Sequence, residues 1–327
     1  MEIVRLADAY GFNSVWAADD IGGRDPFIRL ASWATVTSRI RLGVAVTNPN
    51  TRHPVSIAAI IATLDEASCG RAVLGLGTGD SWKEFFQERR QKPLAMMSET
   101  IQMLREVWAL PETSYRGVRV SLRDSLWVWP DDREAQFRPD IPIYIGATGP
   151  KMTALAGSRA DGLVIEMSKL ISEIENQARI FWEAARQAGR ETTGLEVASL
   201  IKVSVVEREE QMAEIQRIVA FEAARLPESI AEQHGFEMGA FEKIKTIYSE
   251  YIARGGPLEH GSEPAGRVAA LYVTQTMLDA LAVTGDLRRC LSLMQRYAPA
   301  GVTLPLLIPL GCDPIKVVEL GRAYLGF

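Results

Sequence analysis

The sequence predicts an α/β protein built on a parallel sheet, and three observations predict it. Short apolar runs rich in β-branched residues alternate with segments whose apolar residues recur at helical spacing. Successive runs start roughly 30 residues apart, the interval that a βα repeat requires. Glycines and polar residues collect where the runs end, at the edge on which parallel sheets bind ligands. The count is seven strand candidates, each followed by helix. A closed barrel and an open doubly wound sheet both satisfy this alternation, because closure leaves no mark in the periodicity.

Taken in order, Ile3, Val4, Leu6, Ala7 and Tyr10 give a first helix that ends at Gly11 and leads into a strand over Ser14 to Ala17. Pro26 to Thr37 suits a helix with Phe27, Leu30, Ala31 and Ala34 on one face. Arg41 to Thr47 and Arg71 to Leu76 read as strands buried on both faces. Between them Pro54 suits the first helical position, and Ile57, Ile60, Ile61 and Leu64 fill one helix face. The rest of the chain is organised around this βαβ unit. A further helix covers Ser98 to Leu110, and residues 111–140 then break the rhythm as an insertion whose Trp127, Trp129 and Phe137 either line a substrate pocket or, the favoured reading, pin the loop to the body. Pro142 to Ile145, Asp161 to Met167, Leu195 to Val206 and Gly301 to Pro309 complete the strands. Helices follow Lys151 and cover Ile171 to Ala188, Val268 to Val283, Leu287 to Tyr297 and Asp313 to Tyr324. Residues 207–253 are mainly helical and charged, and about 225–267 reads as a second insertion. With no Ser/Gly linker and no low-complexity tract, residues 1–327 are expected to form one domain.

Composition sets the surroundings. A chain of 327 residues that is 47% hydrophobic buries a substantial core, and a net charge of -5 gives no basic field for nucleic acid or an acidic membrane. Cys69, Cys290 and Cys312 are few and widely separated, which suits a reducing compartment, and neither they nor His53, His234 and His260 form a metal-ligand pattern, so no metal is expected. No run reaches the ~18 apolar residues of a membrane span. The expectation is an ordinary soluble, cytoplasmic protein.

The site candidates lie at strand ends. Thr47, Asn48, Arg52 and His53 follow one strand of the central unit, and Gly75, Gly77, Thr78, Gly79 and Asp80 close the other. Glycines there let backbone N–H groups approach a flat ring or a phosphate, and Asp80 places a carboxylate beside them. The spacing is GxGxG and opens no clean helix, so the dinucleotide fingerprint, GxGxxG at the start of a helix, is the weaker reading. Asn48 either donates to a cofactor or forms an Asx turn with Pro49, and His53 reads as a helix-entry residue. Asp19 and Asp20 follow the first strand, and Asp20 either serves as an acid or merely faces solvent. Gly146, Ala147, Thr148 and Gly149 join a strand to a helix start, a geometry that points free N–H groups and the positive dipole end at one place. Met167 ends the next strand, either as a ring contact or as core.

GVAVTNPNTRHP followed by ATLDEASCGRAVLGLGTGD resembles the luciferase-like oxidoreductases, and within them the methylenetetrahydromethanopterin reductase branch. The resemblance implies a (β/α)8 TIM barrel that binds coenzyme F420, a deazaflavin, with FMN as the alternative. It implies a non-prolyl cis peptide in the third barrel strand behind the cofactor ring, here at Ala45-Val46. Thr47, Asn48, Gly77, Thr78, Gly79 and Met167 would border the ring, and the Gly146 to Gly149 loop would hold the phosphate. The family has a strand before the first helix, so the expectation is a barrel lacking its opening strand. Where the family has aspartate then histidine, this chain has Asp19 then Asp20, which puts the family's acid chemistry in doubt and makes Asp80 the leading acid/base candidate, with Asp19 or Asp20 in support. The implied function is hydride transfer to or from a small unsaturated or one-carbon-carrying substrate. The alternatives are an FMN-dependent monooxygenase fed by a flavin reductase and a non-catalytic flavin-binding barrel. A homodimer or higher homo-oligomer is expected.

Overall fold

The computed structural model describes residues 1–20, 23–79, 92–109, 112–117, 121–126, 138–166, 170–256 and 264–326. Contacts divide the chain into two compact units, one of Met1–Glu166 with Asn176–Ala198 and the other of Met167–Glu175 with Ser199–Phe327.

The first unit runs α1 (Glu2–Ala9), β1 (Ser14–Ala17), α2 (Pro26–Ala34), β2 (Arg41–Thr47), α3 (Pro54–Ala67), β3 (Ala72–Leu76), α4 (Pro93–Ala109), β4 (Glu112–Arg116), β5 (Ser121–Leu126), β6 (Ile143–Ala147), α5 (Pro150–Arg159) and β7 (Gly162–Ile165), followed by most of α6 (Ile171–Gln187). Strands β1, β2, β3, β6 and β7 lie in that order and pair in parallel. Leu42, Val44, Leu74, Leu76, Ile143 and Ile145 are the buried alternate residues of β2, β3 and β6, and α2 and α3 pack against this sheet. On the other set of positions large rings cover glycines. A side chain at Gly43 would run into Trp16, and one at Gly162 into Tyr144. The two rings meet with centroids 5.4 Å apart. At the lower end of these strands Arg41 pairs with Glu196 at 2.8 Å, and the Tyr144 hydroxyl donates to the same carboxylate. Burial first, and then the bond to Glu196, push the Tyr144 phenol well above its ordinary value.

The second unit holds β8 (Glu196–Val205) from Ser199 onward, α7 (Glu209–Arg225), α8 (Glu228–Gln233), α9 (Met238–Ala253), α10 (Pro264–Ala269), α11 (Gln275–Leu281), β9 (Val283–Gly285), α12 (Leu287–Met294), β10 (Leu304–Pro309) and α13 (Pro314–Tyr324). β8 pairs in parallel with β9 and neighbours β10. Phe221, Phe236, Phe241, Ile244 and Met277 centre its helical core. Lys202 of β8 is only 4% exposed and forms an ion pair with Glu222 of α7.

All seven predicted strands are present, and three more appear among the described residues. β4 and β5 form an antiparallel hairpin inside the first insertion, while its Trp127, Trp129 and Phe137 lie outside the described residues. The single helix expected over Val268 to Val283 is a correction. It is α10, a 3-10 turn over Ala270–Tyr272, α11 and then β9. Val273 is extended, and the Thr274 side chain accepts from Met277 N–H at 3.4 Å, so a new helix starts where the apolar pattern alone reads as continuous. Among the described residues no helix is long and apolar enough to cross a membrane, and no group of three or more His, Cys, Asp or Glu side chains could hold a metal ion.

Candidate active site

The carboxyl ends of β1, β2, β3 and β6 converge in the first unit, and β2 shapes the place. The Ala45-Val46 peptide is cis, as the sequence resemblance implied. Pairing between β2 and β3 slips between Val44 and Thr47, so the two strands are in register below and above but not at the bulge. The glycines facing it are there for β2. A side chain at Gly75 would collide with the Val44 carbonyl oxygen, and one at Gly77 with a Val46 methyl. At Gly146, on β6, a Cβ would stand 3.1 Å from Val46 Cγ1. Val46 therefore lies across three glycines from two adjacent strands, and its side chain fills the depression they leave. This gives the glycines a structural reason that a fingerprint reading does not supply.

Beside this apolar seat stand polar atoms without partners among the described residues. Thr47 is fully buried, and its Oγ1 has no hydrogen-bond partner, while its carbonyl accepts from Gly77 N–H at 2.8 Å. Asn48 does form the Asx turn: Oδ1 accepts from Asn50 N–H at 3.1 Å and Thr51 N–H at 3.0 Å. That leaves the Nδ2 amide, which has no acceptor among the described residues and faces Gly79, where a Cβ would come within 3.0 Å of it. Gly79 has φ +71°, a conformation other residues rarely adopt. Asn50 Nδ2 donates to the Thr78 carbonyl at 3.3 Å, tying the two strand-end loops together.

Asp19 is not a free acid in this arrangement. Arg52 donates to it through Nε at 3.2 Å and reaches Asp25 through Nη2 at 2.8 Å, while its guanidinium lies 5.1 Å from the Phe27 ring centre. Asp25 in turn caps α2, accepting from Phe27 and Ile28 N–H. Burial alone would raise the Asp25 carboxyl, but the Ile28 N–H, Arg52 and the Phe27 N–H together hold it below its ordinary value. Burial would lower Arg52, and the two carboxylates outweigh that and raise it. Asp20 is exposed. His53 caps α3 by accepting from Val55 N–H at 3.3 Å, a structural role. Asp80 and Met167 lie outside the described residues.

β6 runs through Gly146 and Ala147 into Thr148 and Gly149, the N-cap of α5, which has no side-chain cap. Pro150 has no N–H, so Lys151 and Met152 carry the first-turn donors that no helical carbonyl reaches. Gln177 of α6 donates to the Thr148 carbonyl at 3.0 Å. Composition gives no signal for Gln177, because a lone glutamine on an amphipathic helix reads as surface.

A family model described as luciferase-like monooxygenase matches residues 1–304. The chain belongs to the luciferase-like monooxygenase family. Within that family it is 30% identical to a 5,10-methylenetetrahydromethanopterin reductase of Methanolobus tindarius, over 98% of this chain and 94% of that one. It is 29% identical to an F420-dependent glucose-6-phosphate dehydrogenase of Nakamurella multipartita over 79% of this chain and 80% of that enzyme. Among solved structures, the coenzyme F420-dependent tetrahydromethanopterin reductase of Methanopyrus kandleri superposes with a TM-score of 0.79 at 26% identity, covering 98% of this chain and 92% of that one. The fold is therefore the luciferase-like (β/α)8 barrel class, not the doubly wound sheet. The residues present also fit the family's type of ligand. An apolar seat bordered by the unpartnered Thr47 Oγ1 and Asn48 Nδ2 suits a flat ring with a polar edge, and uncapped N–H groups at α5 suit an anion.

Proposed function

We propose that this chain is an F420-dependent oxidoreductase acting on a small organic molecule, with a one-carbon-carrying pterin as the favoured substrate class. The observation that carries it is the Val46 seat, an apolar surface over Gly75, Gly77 and Gly146 built where the strands of the first unit end. The relatives supply the cofactor: the solved reductase that superposes over nearly the whole chain is named for coenzyme F420. A deazaflavin, when bound, carries the hydride itself. The chain's residues then orient and exclude. Val46 and the glycines beneath it hold one face, Thr47 Oγ1 and Asn48 Nδ2 meet the polar edge, and the Gly146–Gly149 loop with the start of α5 takes the phosphate. Asp19, engaged by Arg52, braces the loop after β1. Proton transfer falls to Asp20 and Asp80. The reaction takes place in the cytoplasm.

The test is a fluorescence titration with coenzyme F420 and FMN in parallel, followed by turnover with methylenetetrahydromethanopterin. Micromolar binding of F420 with FMN at least tenfold weaker is expected. Preference for FMN, with oxygen-dependent turnover, would move the chain to the monooxygenase side of its family. F420 binding without turnover of this pterin would remove the pterin as substrate and leave the F420 assignment standing.

A further inference from the structure

Gln177 has an arrangement that core packing does not explain. Its side chain is 6% exposed, and a buried amide needs partners for both its ends. Nε2 donates to the Thr148 carbonyl at 3.0 Å, while Oε1 has no hydrogen-bond partner among the described residues. The amide cannot be turned over to relieve this, because the Thr148 carbonyl is an acceptor and requires the N–H end. A leucine or methionine would fill the same space without leaving an oxygen desolvated. What the glutamine secures in return is the orientation of one peptide. The Thr148–Gly149 bond is trans, so its carbonyl and its N–H point in opposite directions. With the carbonyl held toward α6, the Gly149 N–H is directed away from α6. It has no acceptor among the described residues, and it stands directly before the N–H groups of Lys151 and Met152.

We infer that Gln177 is a positioning residue for an anion-binding loop: it grips the Thr148 carbonyl so that Gly149 N–H, with the first turn of α5, faces the phosphate of the bound ligand. This rests on the F420 reading above and deepens it, since it assigns recognition of the phosphate, as distinct from the ring, to a residue that never touches the ligand. A peptide free to rotate would present its carbonyl oxygen to the anion for part of the time. Gln177 removes that state.

The experiment compares coenzyme F420 with its phosphate-free deazariboflavin core, by fluorescence titration, in wild type, Gln177→Met and Gln177→Glu. Wild type should bind the phosphate-bearing ligand more tightly. Gln177→Met should lose about tenfold affinity for F420, the worth of one charge-assisted hydrogen bond, with the core changed less than twofold. Gln177→Glu, which cannot donate and adds a negative charge, should lose more. A merely structural role would weaken both ligands equally, and that result overturns the inference, as does a wild type that does not discriminate between them. If wild type binds neither ligand, the F420 reading fails separately. The Gly149 amide shift in ¹H–¹⁵N spectra under inorganic phosphate then decides: a shift in wild type that Gln177→Met abolishes supports the inference, and no shift overturns it.

Discussion

Gly75, Gly77 and Gly146 show how two residues of one strand, Val44 and Val46, set the composition of their neighbours. The obstruction differs at each glycine. At Gly75 it is the Val44 backbone oxygen, which cannot swing away; at Gly77 it is a Val46 methyl; at Gly146 the same side chain stands 3.1 Å off. Alanine substitutions should therefore fall in order, Gly75→Ala costing most, Gly77→Ala about 1–3 kcal/mol as an overpacked site, and Gly146→Ala least. Urea unfolding of the three variants checks the order. Pairing Gly77→Ala with Val46→Ala should recover much of the loss, because the two share one obstruction. Additive losses would mean that Gly77 is needed for something other than Val46. Gly75 and Gly77 were visible in the sequence as part of a GxGxG pattern, but what they face was not. Nothing local links Val46 to Gly146, one hundred residues away, so the pattern read as ligand approach when its first cause is strand-to-strand packing.

Elements were legible where one physical signal dominated. The five parallel strands of the first unit are apolar runs bounded by turn residues, and Ser14–Ala17 and Arg41–Thr47 have the bounds that periodicity gives. The hairpin β4–β5 was missed because ETSYR and SLRDSL carry no apolar alternation to announce a strand. β9 was missed because its three residues form a strand only by pairing with β8. The ion pair between β8 and α7 was likewise invisible, since Lys202 and Glu222 lie too far apart in sequence for any helical or strand spacing to join them. It makes a prediction about how these two elements hold. Glu222→Gln takes a paired carboxylate from a lysine that is 4% exposed and should cost about 3–5 kcal/mol. Lys202→Met with Glu222→Leu removes both charges and should cost far less. Thermal unfolding of the two variants side by side measures the difference, and equal losses would show that the pair contributes packing alone.

For the molecule as a whole, stability in acid follows from carboxylates that the fold holds below their ordinary values. Asp8 accepts from the backbone N–H groups of Ser38 at 3.0 Å, Arg39 at 2.9 Å and Ile40 at 2.7 Å, which fastens the end of α1 to the loop before β2. Burial alone would raise the Asp8 carboxyl, but the N–H bonds from Ile40, Ser38 and Arg39 together outweigh it and lower it. Asp25 is lowered in the same direction by its cap and by Arg52. A carboxylate lowered in the folded chain contributes stability that is fully present above its unfolded value of 3.8 and is lost as pH falls toward its folded value. In that window the unfolded chain binds more protons than the folded one. Each such group then adds a slope of at most about 1.4 kcal/mol per pH unit, and the partly exposed Asp25 adds less than Asp8. Urea unfolding of wild type and Asp8→Asn between pH 3 and pH 6 should show the variant clearly weaker at pH 6, because an amide in place of the carboxylate cannot accept all three N–H groups. The gap should narrow as pH falls below the unfolded value of 3.8, where the unfolded wild-type chain takes up the proton before the folded one. A gap independent of pH would mean that the asparagine disturbs the α1 junction sterically. The charge of Asp8 would then contribute nothing to holding it.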